Sequence, residues 1–349
     1  MTMTKSSKVS IAAAAFLLSM AWIDPAVAEI KAEDILMEGN VIPLGSEEEG
    51  IAYDPNTGNY VVTYKTYDVN GDEMLYRLVF VPATKIEPTL KSKFEESKSG
   101  KIIYRYKIRN GPKSNQALIS LRLIASSADE TSQTTPKNWR GNATPNIGSF
   151  GVRVNWSYWR GSRVTSGIAP GQSLSGFSLE SEDLPGVDVA KMEGATPIAG
   201  FAGEGPQGKV GDEFDKLRLN NFVPLPAAVP KIPVPDPFDA RVVIAGLQKH
   251  LKDDIVSMQL IDPVFATQLD RYLQGAIDAA NAGNTAGVKG NLKDFRRLLK
   301  SEHDDIDKDD DKDNDDKNKD KSKKLIDKLA ARVLDFDARY VLKRFGGDD

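Results

Sequence analysis

An aspartate-rich run near the C-terminus has the residue types and the spacing that could bind a metal ion. Residues 304–320 read DDIDKDDDKDNDDKNKD. Carboxylates at alternate positions are what a hard cation such as Ca²⁺ takes from one short loop. In an EF-hand-like register that starts at position 309, the candidate ligands are Asp309, Asp311, Asp313, Asp315 and Asp320.

The same run departs from a calcium loop in ways that favour a solvated spacer. Asn314 stands where Gly is usual, and Asp316 stands where an apolar residue would anchor the loop. Residues 304–324 contain ten Asp and seven Lys, and the lysines compete with a cation for the carboxylates. We interpret the run as a flexible, disordered charged loop, with a weak calcium site of extracellular type as the alternative.

Four residues of the segment NWSYWR could form a binding platform. They are Trp156, Tyr158, Trp159 and Arg160. On a strand, Trp156 and Tyr158 share one face and Trp159 lies on the other. One face could stack against a sugar ring or a peptide, with the arginine beside it. Packing of these rings in the core is the competing interpretation, and the one that residue statistics favour.

Other catalytic chemistry finds little support. The chain has two histidines and no cysteine, which excludes thiol catalysis and cysteine-based metal sites. His250 and His303 lack motif partners, so surface positions are expected for both. Glu180 and Glu182 would be neighbours on a strand, but a solvated strand end is the favoured interpretation. No catalytic residue is assigned, and the protein is predicted not to be an enzyme.

The N-terminus is typical of a bacterial signal peptide, predicted to span residues 1–28. Lys5 and Lys8 precede an apolar stretch, and Ala26-Val27-Ala28 fits the small-x-small cleavage rule. The apolar stretch is shorter than the roughly 20 residues of a membrane span, so no span is expected in the mature chain. We therefore predict an exported protein, periplasmic or extracellular. A net charge of −4 gives no basic footprint for nucleic acid.

The remaining sequence predicts a multidomain chain, all-β and then all-α. Residues 29–222 alternate apolar and polar side chains between turn signals, which indicates an antiparallel β-sandwich. The stretch 223–238 contains six prolines and is predicted to be an extended linker. Residues 239–349 repeat apolar positions at helical spacing, which predicts a small helical bundle with the Asp/Lys-rich insert at 303–324.

Both regions resemble modules of secreted bacterial proteins. The segments YRYKIRNG, LISLRLIAS and IAPGQSLSGFSLESEDLPG resemble those of bacterial immunoglobulin-like modules. The segments FATQLDRYLQGAIDAANAGNTAGVKGNLKDFRRLL and KLIDKLAARVLDFDARYVLKRF resemble a FIMAH-type helical module of surface proteins. These resemblances imply a binding or spacer module followed by an accessory module without catalytic residues. The acidic insert departs from the second pattern and leaves the role of that loop open.

Two hypotheses follow for the function. The first is an exported non-enzymatic protein that binds or supports a partner, such as an extracellular polysaccharide or another surface protein. The second is a secreted carbohydrate-active hydrolase with a carboxylate pair on the sandwich, which would need two carboxylates about 5–10 Å apart in a cleft.

The calcium alternative can be tested by calorimetry. If the acidic run binds Ca²⁺, titrating the mature protein should give binding heats in the range of about 10⁻⁴–10⁻³ M, typical of extracellular sites. A variant with Asp309, Asp311 and Asp313 changed to Asn should lose these heats because it lacks the carboxylates. Equal heats from the two proteins, or no rise in melting temperature with Ca²⁺, would leave the solvated spacer as the answer.

Overall fold

The chain forms two compact units. The computed structural model describes residues 49–346, apart from the ranges at the end of this sentence: 68–70, 72, 81, 83–84, 129–132, 147–150, 159–166, 196–206, 220 and 304–323. One unit comprises residues up to 82 together with 196–221, and the other comprises 83–195 together with 222–349. Each unit has its own buried apolar cluster.

The smaller unit is a three-stranded antiparallel sheet with one helix. Its strands are β1 (Gly50–Asp54), β2 (Asn59–Tyr67) and β3 (Glu73–Phe80), in that order. Helix α1 (Gly208–Leu219) adds Val210, Phe214 and Leu217 to the core, at the spacing of one helix face. The rings of Phe80 and Phe214 meet edge to face with centroids 5.7 Å apart.

The larger unit contains two further antiparallel sheets. Their strands are β4 (Pro88–Glu96), β5 (Ile102–Asn110), β6 (Leu118–Ala125), β7 (Trp139–Pro145), β8 (Val152–Tyr158), β9 (Ser173–Ser181), β10 (Leu184–Gly194) and β11 (Val223–Ile232). The five-stranded sheet has the order β11-β10-β6-β8-β7, and the three-stranded sheet has the order β4-β5-β9. In β5, buried and more exposed side chains alternate, as predicted from the sequence.

Within the described residues, four helices follow the strands. They are α2 (Ala240–His250), α3 (Pro263–Asn281), α4 (Thr285–Glu302) and α5 (Lys328–Arg344), and a π-helical segment, Leu251–Ile255, continues α2. Each is capped by the side chain of the residue before it, namely Asp239, Asp262, Asn284 and Asp327. The predicted order of antiparallel sheets followed by a helical region is confirmed. No helix within the described ranges has the length and hydropathy needed to cross a bilayer.

The proline-rich segment differs from the predicted linker, because residues 223–232 form strand β11 at the edge of the five-stranded sheet. Pro224, Pro226 and Pro230 occupy alternate positions with Ala228 between them. The Ala228 N–H donates to Ser92 Oγ on β4 at 3.2 Å, so it points away from β10. Because backbone directions alternate along a strand, the nitrogens of the three prolines point the same way. Proline is tolerated on an edge strand at such positions, since its missing N–H is not needed by the ladder.

The helices also differ from the predicted separate bundle, because they share one apolar core with the two sheets. Helix α5 packs against β10 and β11, and Phe336 meets Phe94 of β4 edge to face at 5.2 Å. Ten of its residues are buried, from Ala330 to Leu342. A helix buried on most of its surface lies inside a larger core rather than on the outside of a bundle.

The proline positions in β11 generate a stability prediction. Ala227→Pro should lower the free energy of unfolding by more than about 1 kcal/mol, because a nitrogen directed at β10 loses its ladder hydrogen bond. Pro226→Ala should change it by less than about 1 kcal/mol, because the nitrogen points outward. Urea denaturation of both variants measures the two free energies of unfolding. Equal destabilisation would contradict the directions assigned to the two backbone nitrogens.

Candidate functional site

The predicted aromatic platform is only partly present at the surface. Trp156 is fully buried and lies between Tyr106 and Phe177, with ring centroids 5.6 Å and 6.0 Å away. The core interpretation therefore holds for this residue, which offers no ring to a ligand. Tyr158 is half-buried and meets Trp139 edge to face at 6.1 Å. Trp159 and Arg160 lie outside the described residues.

The predicted calcium ligands lie outside the described residues, but the two ends of that segment are fixed. His303 Nε2 lies 2.7 Å from the carbonyl oxygen of Ile326 and can donate to it. Glu302 Oε2 accepts the N–H of Leu325 at 3.1 Å. A β-bridge from Ile261 to Ile326 ties the returning chain to the start of α3. These contacts hold the two ends of the segment together, and we call this part of the structure the neck. His303 is buried there, contrary to the predicted surface position.

The other histidine is also structural. His250 is 2% exposed, and its Nε2 accepts the backbone N–H of Val187 on β10 at 2.9 Å. Its Nδ1 must then carry the proton, which it donates to Asp254 Oδ2 at 2.8 Å. Lys231 pairs with Asp188 at 2.6 Å and approaches Asp254 at 3.6 Å. This network joins α2 to the five-stranded sheet and corrects the expected surface position of His250.

The carboxylates considered for a hydrolase occupy the β9–β10 turn and its surroundings. Asp183 is buried and accepts from Ser126 Oγ at 2.5 Å and Ser127 Oγ at 2.7 Å. Its carbonyl oxygen accepts the hydroxyl of Tyr104 at 2.8 Å. Glu180 is half-buried on β9, and Glu182 is exposed in the turn. Asp183 therefore holds the turn together.

Helix α5 carries two fully buried carboxyl groups, which the sequence reading overlooked. Asp335 pairs with Arg296 Nε at 2.8 Å and with Arg339 Nε at 2.9 Å. For Asp337, neither carboxyl oxygen has a hydrogen-bond partner among the described residues. Burial raises the pKa of Asp337 well above its ordinary value, and the charge of Asp335 raises it further. Asp337 is therefore expected to be uncharged at neutral pH.

A cleft of about 470 Å³ opens where the first and last parts of the helical region meet. It lies between the start of α2, the α3–α4 turn and the end of α5. Its lining residues are Pro237, Phe238, Asp239, Ala240, Arg241, Ala280, Gly283, Thr285, Val288, Arg344 and Phe345. This volume falls in the range of small-molecule sites, which combine apolar walls with a few polar groups.

One cation of the cleft contacts two aromatic rings. The Arg344 guanidinium carbon lies 3.3 Å from the Tyr340 ring centroid and 5.4 Å from that of Phe238. Its Nη1 donates to the Tyr340 carbonyl oxygen at 3.4 Å. Such cation–π contacts fix a guanidinium in place and leave its edge able to bind an anion.

The second arginine of the cleft is already neutralised. Arg241 donates from Nε and Nη2 to the two carboxylate oxygens of Asp239, at 3.0 Å and 2.6 Å. Hydrogen bonds from Arg241 lower the pKa of Asp239 to about 2, so the pair stays ionised at neutral pH. The sequence reading missed this cleft because its residues lie about 100 positions apart. A detectable signal was the Tyr340–Arg344 spacing, which places the two side chains on one helix face.

Comparisons with known proteins include a distant structural likeness. No family model matches the chain, and no curated protein does. An uncharacterized protein from Nocardia farcinica with an immunoglobulin-like fold matches 39% of this chain and 95% of its own. The identity is 15% and the TM-score 0.24, so nothing about ligand or activity follows. The FIMAH-type resemblance finds no family match and stays a prediction.

The uncharged Asp337 generates a prediction about pH. Between the ordinary carboxyl pKa and the raised folded pKa, the folded state holds a proton that the unfolded state releases, so stability falls as pH rises. Asp337→Asn removes this penalty and should raise the melting temperature relative to wild type at pH 8, with the difference shrinking toward pH 4. Scanning calorimetry at several pH values measures the difference.

Asp335→Asn is the matched control. It breaks a buried ion pair and should lower the melting temperature at neutral pH, by an amount equivalent to about 3–5 kcal/mol. A neutral-pH loss of stability in Asp337→Asn similar to that of Asp335→Asn would contradict the uncharged state of Asp337.

Proposed function

We propose that this chain is an exported, non-enzymatic binding protein that holds a small ligand in the cleft between α2, α4 and α5. The observation that carries the proposal is the guanidinium of Arg344, which contacts two aromatic rings at a cleft of ligand size. Apolar walls beside one positioned charge are typical of small-molecule sites. Export is inferred from the signal-like N-terminus alone.

The roles of the best acid–base candidates support a non-catalytic function. A general base must reach a reacting group with a titratable atom. His250 and His303 are buried, and both are used to hold backbone groups. Asp183 is occupied by two serine hydroxyls.

The Asp/Lys-rich segment has a secondary part in the proposal. It would be a solvated charged loop that leaves the body through the neck at His303 and Ile326, with weak Ca²⁺ binding as the alternative that calorimetry distinguishes. An extracellular polysaccharide or another surface protein remains the proposed partner of the protein.

A cleft-filling variant tests the function. Ala280→Phe should fill much of the cleft and abolish the melting-temperature rise that small molecules produce in a screen of sugars, organic acids and amino acids. Wild-type protein should show a rise with at least one of them, because a ligand that binds only the folded state stabilises it.

Gln268→Phe is the matched control, since Gln268 is an exposed residue of α3 that does not line the cleft. It should keep the wild-type response. No response from wild type, or an equal response from Ala280→Phe, would overturn the cleft as the binding site. Turnover of a polysaccharide substrate would overturn the non-enzymatic assignment and favour the hydrolase alternative.

A further inference from the structure

We infer that the ligand of the cleft is a small organic monoanion, a carboxylate joined to an apolar group. The inference rests on the proposed function, because it names the class of ligand for the same cleft. Three properties of the lining support it: its charge balance, the state of its arginine donors, and its apolar walls.

Among the described residues, the cations in and next to the cleft outnumber the anions. Arg241 and Asp239 neutralise each other through two hydrogen bonds. Glu96 accepts a hydrogen bond from Lys343 Nζ at 2.8 Å, so these two residues form a second ion pair next to the cleft. Arg344 lies 3.6 Å from the same Glu96, and Lys289 Nζ contacts the carbonyl oxygen of Gly346 at 3.4 Å, so this excess of positive charge favours a negatively charged ligand.

The donors of Arg344 are only weakly engaged. Nη2 lies 3.6 Å from Glu96 Oε1, which is longer than a hydrogen bond. Nη1 makes the 3.4 Å contact with the Tyr340 carbonyl oxygen, near the long limit. A planar guanidinium matches a carboxylate with two parallel N–H···O bonds. Contacts with the Tyr340 and Phe238 rings hold the guanidinium in position, which reduces the entropy lost on binding.

The helix N-termini at the cleft are not the source of this preference. Asp239 caps α2 by accepting the N–H of Arg241, and Asn284 caps α4 by accepting the N–H of Gly287. The guanidinium is therefore the group expected to pair with the anion.

The rest of the lining suits a hydrocarbon. Phe238, Phe345, Val288 and Ala280 supply aromatic and aliphatic surface in the same cleft. An inorganic anion would leave this surface in contact with water, whereas an aryl or alkyl group would cover it. A neutral sugar could stack on the rings but would form no ion pair with the Arg344 guanidinium. The combination favours a molecule with one carboxylate and one apolar end.

The test compares two probes that differ only in charge. 4-Fluorophenylacetate and its neutral amide, 4-fluorophenylacetamide, are titrated with mature protein and followed by ¹⁹F NMR. Wild type should bind the acid at least about tenfold more tightly than the amide, because a charge-assisted hydrogen bond is stronger than a neutral one. Arg344→Gln should reduce binding of the acid by about tenfold to a hundredfold and leave the amide nearly unchanged.

Two further variants make the result interpretable. Arg297→Gln removes an exposed arginine of α4 that pairs with Asp294 and does not line the cleft, and it should bind like wild type. Arg344→Lys keeps the charge without the planar fork and should give intermediate affinity. Melting temperatures close to wild type show that each variant is folded.

The outcomes separate the inference from the proposed function. If acid and amide bind equally and Ala280→Phe abolishes both, the cleft is a binding site but the monoanion inference is overturned. If neither probe binds wild type, the monoanion inference is overturned, and the screen described above decides the proposed function independently. Acid binding that survives Arg344→Gln would also overturn it.

Discussion

The burial of helix α5 against the five-stranded sheet is the constraint on which the larger unit depends. It places the apolar face of the sheet and the inner faces of the other helices around one element, so neither layer has a complete core alone. Burying this much apolar surface is the dominant favourable term in folding. The same burial is unfavourable for Asp335 and Asp337, because it removes their carboxyl groups from water.

The sheet also needs an unusual strand at its edge. Strand β11 carries prolines where an ordinary strand would have free N–H groups directed at solvent or at a neighbour. Ala228 instead joins the two sheets, since its N–H donates to Ser92 and its carbonyl accepts the hydroxyl of Tyr106 at 2.9 Å. The prolines leave few donors exposed at this edge, which discourages pairing with another chain.

Local patterns predicted the elements well and their assembly poorly. Alternation along β5 and helical periodicity in α3 and α4 depend on neighbouring residues, which a sequence displays directly. The proline segment was misjudged because proline density argues against a strand unless every proline falls on the outward-facing register. Whether the helices pack on the sheet depends on contacts across more than 100 positions, such as Phe94 with Phe336.

The same difference between local patterns and long-range contacts applies to the candidate site. Trp156 was recognised as an aromatic with two possible roles, and only the partners Tyr106 and Phe177 decide between them. The structural role of His250 depends on the backbone of Val187 on a distant strand, which no local motif encodes. Arg344 and Phe238 both line the cleft because the start of α2 and the end of α5 lie close together in the fold.

The closed neck at His303 and Ile326 has a consequence for how this protein can diverge. The contacts of His303 and Ile326 fix where the chain leaves and returns, so in the proposed solvated loop the number of residues between them would not be set by packing. Doubling the length of a flexible connection costs only about 0.6 kcal/mol of closure entropy. If the proposed solvated loop is correct, insertions and deletions there should have little effect on the described core, and the charge and length of the segment could change without it.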